Sequence, residues 1–168
     1  MALSKIDGKN LITGLPAGSV LQVAQTSLTS EISTTSASYV TSGLTATLTP
    51  SSSSNKILIL LNGGRISYGD AGGVNKMAVT FYSSIGGATA ADILGSNPVT
   101  NMSIFTGDPG YTWAHSGSFL YSPSTTSSVA ITPYFKATND DGTPYFNHIS
   151  NSITPRVTLT LMEIAGWL

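Results

Sequence analysis

The clearest signal in this sequence is the alternation of apolar with hydroxyl-bearing side chains. Leu44, Ala46 and Leu48 alternate with Thr45, Thr47 and Thr49, the period of two that sets one face of a β-strand on a core and the other toward water. The same period returns over residues 77–83, with Met77, Val79 and Phe81 on one face and Thr80 and Tyr82 on the other. It appears again in PRVTLTLMEI, residues 155–164, with Val157, Leu159 and Leu161 inward and Thr158 and Thr160 outward. Residues 56–61 (KILILL) are instead a continuous apolar run of strand length, as expected of a central strand covered on both faces. Residues 20–26, 38–41, 111–121 and 128–137 read as further strands. Pro133 predicts that the last of these is an edge strand or carries a bulge, because proline cannot donate to a ladder. Residues 92–94 fit strand or loop equally, and no window holds a sustained helical period.

Turn chemistry separates these runs. Asp7-Gly8 and Pro16-Ala17-Gly18 interrupt the first segment, a serine tract fills residues 50–55, Gly63-Gly64 and Gly72-Gly73 bracket a loop-rich stretch, and Asp108-Pro109-Gly110 and Asn139-Asp140-Asp141-Gly142 mark tight connections. About eight short strands with a turn every 8 to 12 residues predict an antiparallel all-β sandwich, for which we choose the jelly-roll form. Residues 1–19 hold only short apolar pieces and read as an extended N-terminal arm; residues 20–168 form one β domain. There is no fixed-period repeat, and no heptad or collagen-like stretch that would build a fibre shaft.

Composition sharpens this picture. Charged residues make up 9% of the chain, while 25 Ser and 22 Thr fill the polar positions, so the outward strand faces are neutral hydroxyl surfaces suited to close contact with neighbours. Seven basic and eight acidic residues are dispersed, with only the acidic Asp140 and Asp141 adjacent, for a net charge of −1, a field too weak to recruit nucleic acid or an anionic membrane. The absence of cysteine excludes disulfides, thiolate metal sites and cysteine nucleophiles. No apolar stretch reaches membrane-spanning length, nor does the start resemble an export signal, so synthesis in cytosol-like solution is expected.

Candidate chemistry is sparse. None of the common nucleophile-elbow, phosphate-loop or zinc-protease motifs occurs, and the one S-x-x-K match, Ser53 to Lys56, lies inside the serine tract without companion motifs. No catalytic residue, cofactor or metal is expected. Trp113 and His115 stand at alternate positions of one strand and would share a face, either as a sugar-stacking ligand platform or, as the favoured reading, through packing. His148 reads as a loop histidine. Asn139, Asp140 and Asp141 carry oxygens that suit a hard cation, yet they lack the alternating spacing of a calcium loop and read first as a turn. Asn101-Met102-Ser103 matches a glycosylation acceptor that is inert without export. Later aromatics such as Phe119, Tyr121, Tyr134 and Trp167 are numerous for a charge-poor surface. Some of them are therefore expected at a self-association interface, with Trp167 the first candidate.

The strings LPAGSVLQV, SYVTSGLTATLTPSSSSNKILIL and RVTLTLMEIAG, spread between Leu15 and Gly166, resemble a family of small structural proteins of tailed phages. MALSKIDGKN is similar to the N-terminal arms by which phage fibre and appendage proteins attach to the particle. The resemblance implies a jelly-roll module similar in shape to the C1q and tumour-necrosis-factor trimers, without catalytic residues. It would serve either as a trimeric capsid decoration (cement) protein bound to the major capsid protein at the virion surface, or as a fibre head that binds a host glycan. The lack of a shaft favours decoration. Under that reading Lys5, Ile6, Leu11, Ile12 and Leu15 of the arm, with Trp167, form the interface. A carbohydrate-binding module using Trp113, His115 and the 139–141 turn is the alternative of a different class.

Overall fold

The computed structural model describes residues 16–68, 75–95, 103–107, 112–138, 143–149 and 153–166; for Tyr68, Asn75, Lys76, residues 103–107 and Trp113 the description is of the backbone only. These residues form twelve strands and no helix: β1 (Val20–Leu28), β2 (Ile32–Ser33), β3 (Val40–Thr41), β4 (Ala46–Leu48), β5 (Lys56–Tyr68), β6 (Asn75–Ile85), β7 (Ala91–Asp92), β8 (Ser103–Gly107), β9 (Thr112–Tyr121), β10 (Val129–Ala137), β11 (Pro144–Phe146) and β12 (Val157–Ile164). They make two antiparallel sheets, an all-β sandwich as the alternation predicts. The arm residues Lys5, Ile6, Leu11, Ile12 and Leu15, and Trp167, lie outside the described residues, as do Asp108-Pro109-Gly110 and the 139–142 turn.

The pairing is nested. β1 pairs with β12, β3 and β4 with β10, β5 with β9, and β6 with β7 and β8, each pair enclosed in sequence by the one before. Successive pairs alternate between the two sheets. Two further ladders, β12 with β5 and β10 with β6, complete sheet A in the order β1-β12-β5-β9 and sheet B around β10 and β6; β2 and β11 extend sheet A beyond β1 and β12. Between the sheets lie Ile57, Ile59 and Leu61 of β5, Leu159 and Leu161 of β12, Met77, Val79 and Phe81 of β6, and Val129, Ile131 and Phe135 of β10. All are at most 1% exposed. Phe135 of sheet B stacks on Phe146 of sheet A, ring centres 5.6 Å apart, tying the two layers together.

Three details differ from the sequence reading. The 56–61 run is the first half of a thirteen-residue strand: β5 continues through Gly63 and Gly64, taken from sequence as a turn. At those residues φ is +80° and +72°, and the β5–β9 register shifts between Gly63 and Arg65, so the pair makes a bulge inside a strand instead of ending it. Nor is β5 covered on both faces, since its outward residues Leu58 and Leu60 are only half-buried. Finally, Pro133 sits neither at an edge nor at a bulge but in the middle of β10, which is paired on both sides. The neighbouring strand is broken there instead. β3 stops at Thr41, β4 resumes at Ala46, and Ser42 N donates to Pro133 O (3.0 Å), which turns the missing N–H of Pro133 toward that break.

The glycine bulge gives a stability test. A Cβ on Gly63 would lie 2.5 Å from Arg156 O, whereas one at Gly87, also at positive φ (+81°), would meet nothing within 4 Å. Gly87→Ala is therefore expected to cost about 1 kcal/mol of conformational strain, and Gly63→Ala at least about 2 kcal/mol more. Denaturant melts of the two variants measure the difference.

Candidate functional site

Sheet A is interrupted beside the bulge. β11 ends at Phe146, β12 begins at Val157, and both pair with the same side of β5. Asn147 fills the break: in the left-handed conformation (φ +59°), which asparagine tolerates better than most residues, its buried side chain turns into the sheet. Its Nδ2 lies 3.2, 3.1 and 3.2 Å from the carbonyl oxygens of Leu28, Ser30 and Pro155, joining the end of β1, the following turn and the approach to β12. Gly64 N donates to Arg156 O (2.8 Å) and His148 N to Arg65 O (2.7 Å), so the backbone polar groups at the break find partners across it.

His115 closes the same region from β9, opposite Gly63. It is 2% exposed and faces a shallow, tight indentation lined by Gly63, Gly64, Ile66, Phe146, Asn147 and Val157. Desolvation lowers its pKa to about 4, which keeps the ring neutral at pH 7. At this position the imidazole packs behind the strand break, turned away from the surface. Trp113 pairs through its backbone with Ile66, and its side chain is not among those described.

A second polar centre was missed in the sequence. Glu163 of β12 is 1% exposed and lacks a cationic partner among the described residues. Its Oε1 accepts Ser51 N (2.6 Å), Ser51 Oγ (2.8 Å) and Asn55 Nδ2 (2.6 Å), and its Oε2 accepts Gln22 Nε2 (2.6 Å). Burial pushes this carboxyl up, but the hydrogen bonds from Asn55, Gln22 and Ser51 outweigh it and hold the group below its ordinary value of 4.5. Asn55 Oδ1 in turn accepts Gly166 N (3.0 Å), so one carboxylate ties the 50–55 serine tract to β1 and the chain end. Parity was the available signal: Val157, Leu159, Leu161 and Glu163 share the inward face.

Further polar contacts also link elements of the fold. Glu31 Oε2 accepts Ile149 N (2.7 Å) and pairs with His148 Nδ1 (2.7 Å), anchoring the loop between β11 and β12. On the outer face of sheet B, Tyr82 stacks on Tyr134 with ring centres 4.0 Å apart, Tyr39 tilts against Tyr82 at 6.3 Å, and Lys136 Nζ lies 4.6 Å over the Tyr39 ring. Asp92 accepts Thr80 Oγ1 (2.8 Å) beside them, and burial together with this carboxylate pushes the Tyr39 hydroxyl up to about 12. Among the described residues, no three His, Asp or Glu side chains converge as metal ligands do.

The two buried groups act in separate pH windows. The folded pKa of His115 lies below its ordinary 6.5, so the unfolded chain binds the extra proton and stability falls as pH drops from 6.5 to about 4, by about 3 kcal/mol at most. Thermal melts across that range are expected to show the loss in the native chain and a flatter profile in His115→Gln. Glu163, depressed in the fold, contributes fully above 4.5 and loses its contribution below, as pH falls through its folded value. Glu163→Gln is expected to cost about 1 to 3 kcal/mol at pH 7 and to weaken the acid dependence below 4.5, read from denaturant midpoints.

No family model matches the chain, and no curated protein does. Among solved structures, a chain from the structure of infectious bursal disease virus, Gx strain, aligns over 88% of this chain and 41% of its own length, with 11% identity and a TM-score of 0.37; this chain thus spans about two fifths of that one.

Proposed function

We propose that the chain is a structural protein of a tailed-phage virion: a jelly-roll decoration protein, trimeric, standing on the head and bound to the major capsid protein, without catalytic activity or cofactor. The observation that carries the structural part is where the buried polar groups go. Asn147 and Glu163 are each spent on joining strand ends, and His115 packs behind the same break. Outside the core, the strands present hydroxyl and apolar side chains with few charges. Chemistry needs ionisable groups converging on an accessible site, and mechanical contact needs a stiff neutral surface. The nested pairing, an antiparallel ribbon rolled so that successive pairs alternate between two sheets, supports the jelly-roll reading. The tailed-phage reading rests on the resemblance of LPAGSVLQV and RVTLTLMEIAG to tailed-phage structural proteins, and the preference for the head on the lack of a shaft-forming repeat in the sequence, with residues 1–19 as the arm that grips the shell and residues 20–168 as the domain.

Such a protein works by multiplying weak contacts through symmetry, clamping neighbouring shell subunits. Electron imaging of virions labelled with a gold-tagged antibody against this chain is expected to show label over the whole head. Label confined to the tail or a fibre tip would overturn decoration in favour of the fibre-head reading and its host glycan. Deleting residues 1–15 is expected to leave the folded domain intact while reducing its attachment to shells in a co-sedimentation assay. Undiminished saturation of shells by the truncated chain would remove the arm from the account.

A further inference from the structure

We propose that the outward face of sheet A is a self-association surface, occupied in the working protein by a second copy of this chain. This deepens the reading above, on which it rests for the expectation of an oligomer, by naming the surface. The register carries it. Val23 pairs with Met162, Met162 with Leu58, and Leu58 with Leu120, and directly paired residues of antiparallel strands point to the same side. Ile57, Ile59, Leu159 and Leu161 fill the core from the opposite parity, so these four side chains form one apolar row on the outer face, running across β1, β12, β5 and β9. Val23 is 57% exposed and Leu120 48%; the next row adds Val20, 50% exposed, beside Ile164.

Charge and edges point to another copy of the chain as the occupant. Across these rows and the one beyond them, Gln25–Thr160–Leu60–Ser118, Lys56 is the single formally charged residue. A neutral face meets its own copy without like-charge repulsion and gives a charged partner nothing to pair with. The edge strands of this sheet, VLQVAQTSL and TWAHSGSFLY, are nine and ten residues long and contain no Lys, Arg, Asp, Glu or Pro, so beyond the register shift between Val20 and Gln22 they lack the charges and prolines that keep exposed edges from pairing. Sheet B differs: its flanking strands β3, β4, β7 and β8 have only two to five residues, and a tyrosine stack of its own lies on its outer face. Four strands about 4.8 Å apart and about eight residues long give a face of about 500 Å², or about 1,000 Å² for two copies, which reaches the lower bound for a specific interface.

Sedimentation velocity of the full chain over roughly 1 to 100 µM tests this, with circular dichroism to verify folding. The native chain is expected to sediment as an oligomer. The double variant Val23→Glu/Leu120→Glu, altered at two half-exposed positions, is expected to be a folded monomer, its association weakened at least about tenfold. Should that variant fail to fold, Leu120→Ser, which extends the Ser116 and Ser118 series, is expected to shift the equilibrium toward monomer. Thr47→Glu on sheet B is expected to leave the oligomer unchanged. A monomeric native chain, an oligomer that survives the sheet A substitutions, or one equally lost in Thr47→Glu would overturn the proposal. None of these outcomes bears on where the protein sits on a particle, which the antibody label reports.

Discussion

Everything in this molecule depends on β5 being paired on both sides along its length. β9 runs beside it from Ile57 to Ser67, and β12 followed by β11 covers the other side from Lys56 to Tyr68. A strand so placed shields its backbone groups from water only if its neighbours are continuous, and one of them is not. The break between β11 and β12 falls where β5 carries its glycine bulge, and Asn147 closes it with an amide set near three carbonyl oxygens, two from the end of β1 and its turn and one from the approach to β12. The bulge and the break are thus two halves of one adjustment. Glycine at 63 and 64 lets the backbone approach Arg156 and Val157, and the chain leaving Phe146 can then return as β12 on the same side of β5.

The sequence displayed the parts of this arrangement governed by period two. Leu44–Leu48, Met77–Phe81 and Val157–Leu161 could be assigned to a core face because apolar burial is local information, repeated at every second residue. What escaped was set by contacts distant in the chain. Gly63-Gly64 reads as a turn until β9 and β12 are present to hold the strand straight through it. Pro133 reads as an edge residue until the gap between β3 and β4 supplies a place where no donor is required. The only local sign at Glu163 is its parity with Val157, Leu159 and Leu161; its donors come from residues 22, 51 and 55, more than a hundred positions away. Of the site residues, His115 is buried on the inward face of β9. The arm and Trp167 are not among the described residues.

Scarcity of charge links the fold to its proposed use. With 9% charged residues, the chain satisfies the buried carboxylate of Glu163 with amides and hydroxyls instead of a cation, and it covers its strands with Ser and Thr. Such a surface binds neighbours through shape and area, and it changes little with ionic strength. The two sheets divide this surface unequally. Sheet B closes its own outer face with Tyr39, Tyr82, Tyr134 and Lys136, while sheet A leaves an apolar row and two long uncharged edges open. A body of this kind suits an assembly in which one face meets copies of itself and an arm reaches the surface beneath.

The central claim, that this sandwich is a mechanical component of a particle head working through sheet A and its arm, is tested most directly by an electron cryo-microscopy reconstruction of the virion. The account expects density for the two-sheet domain standing on the shell, with the Val23–Leu120 rows of adjacent copies turned toward each other and the start of β1 leading down to the capsid. A head without this density, or copies whose sheet A faces open solvent, would contradict it.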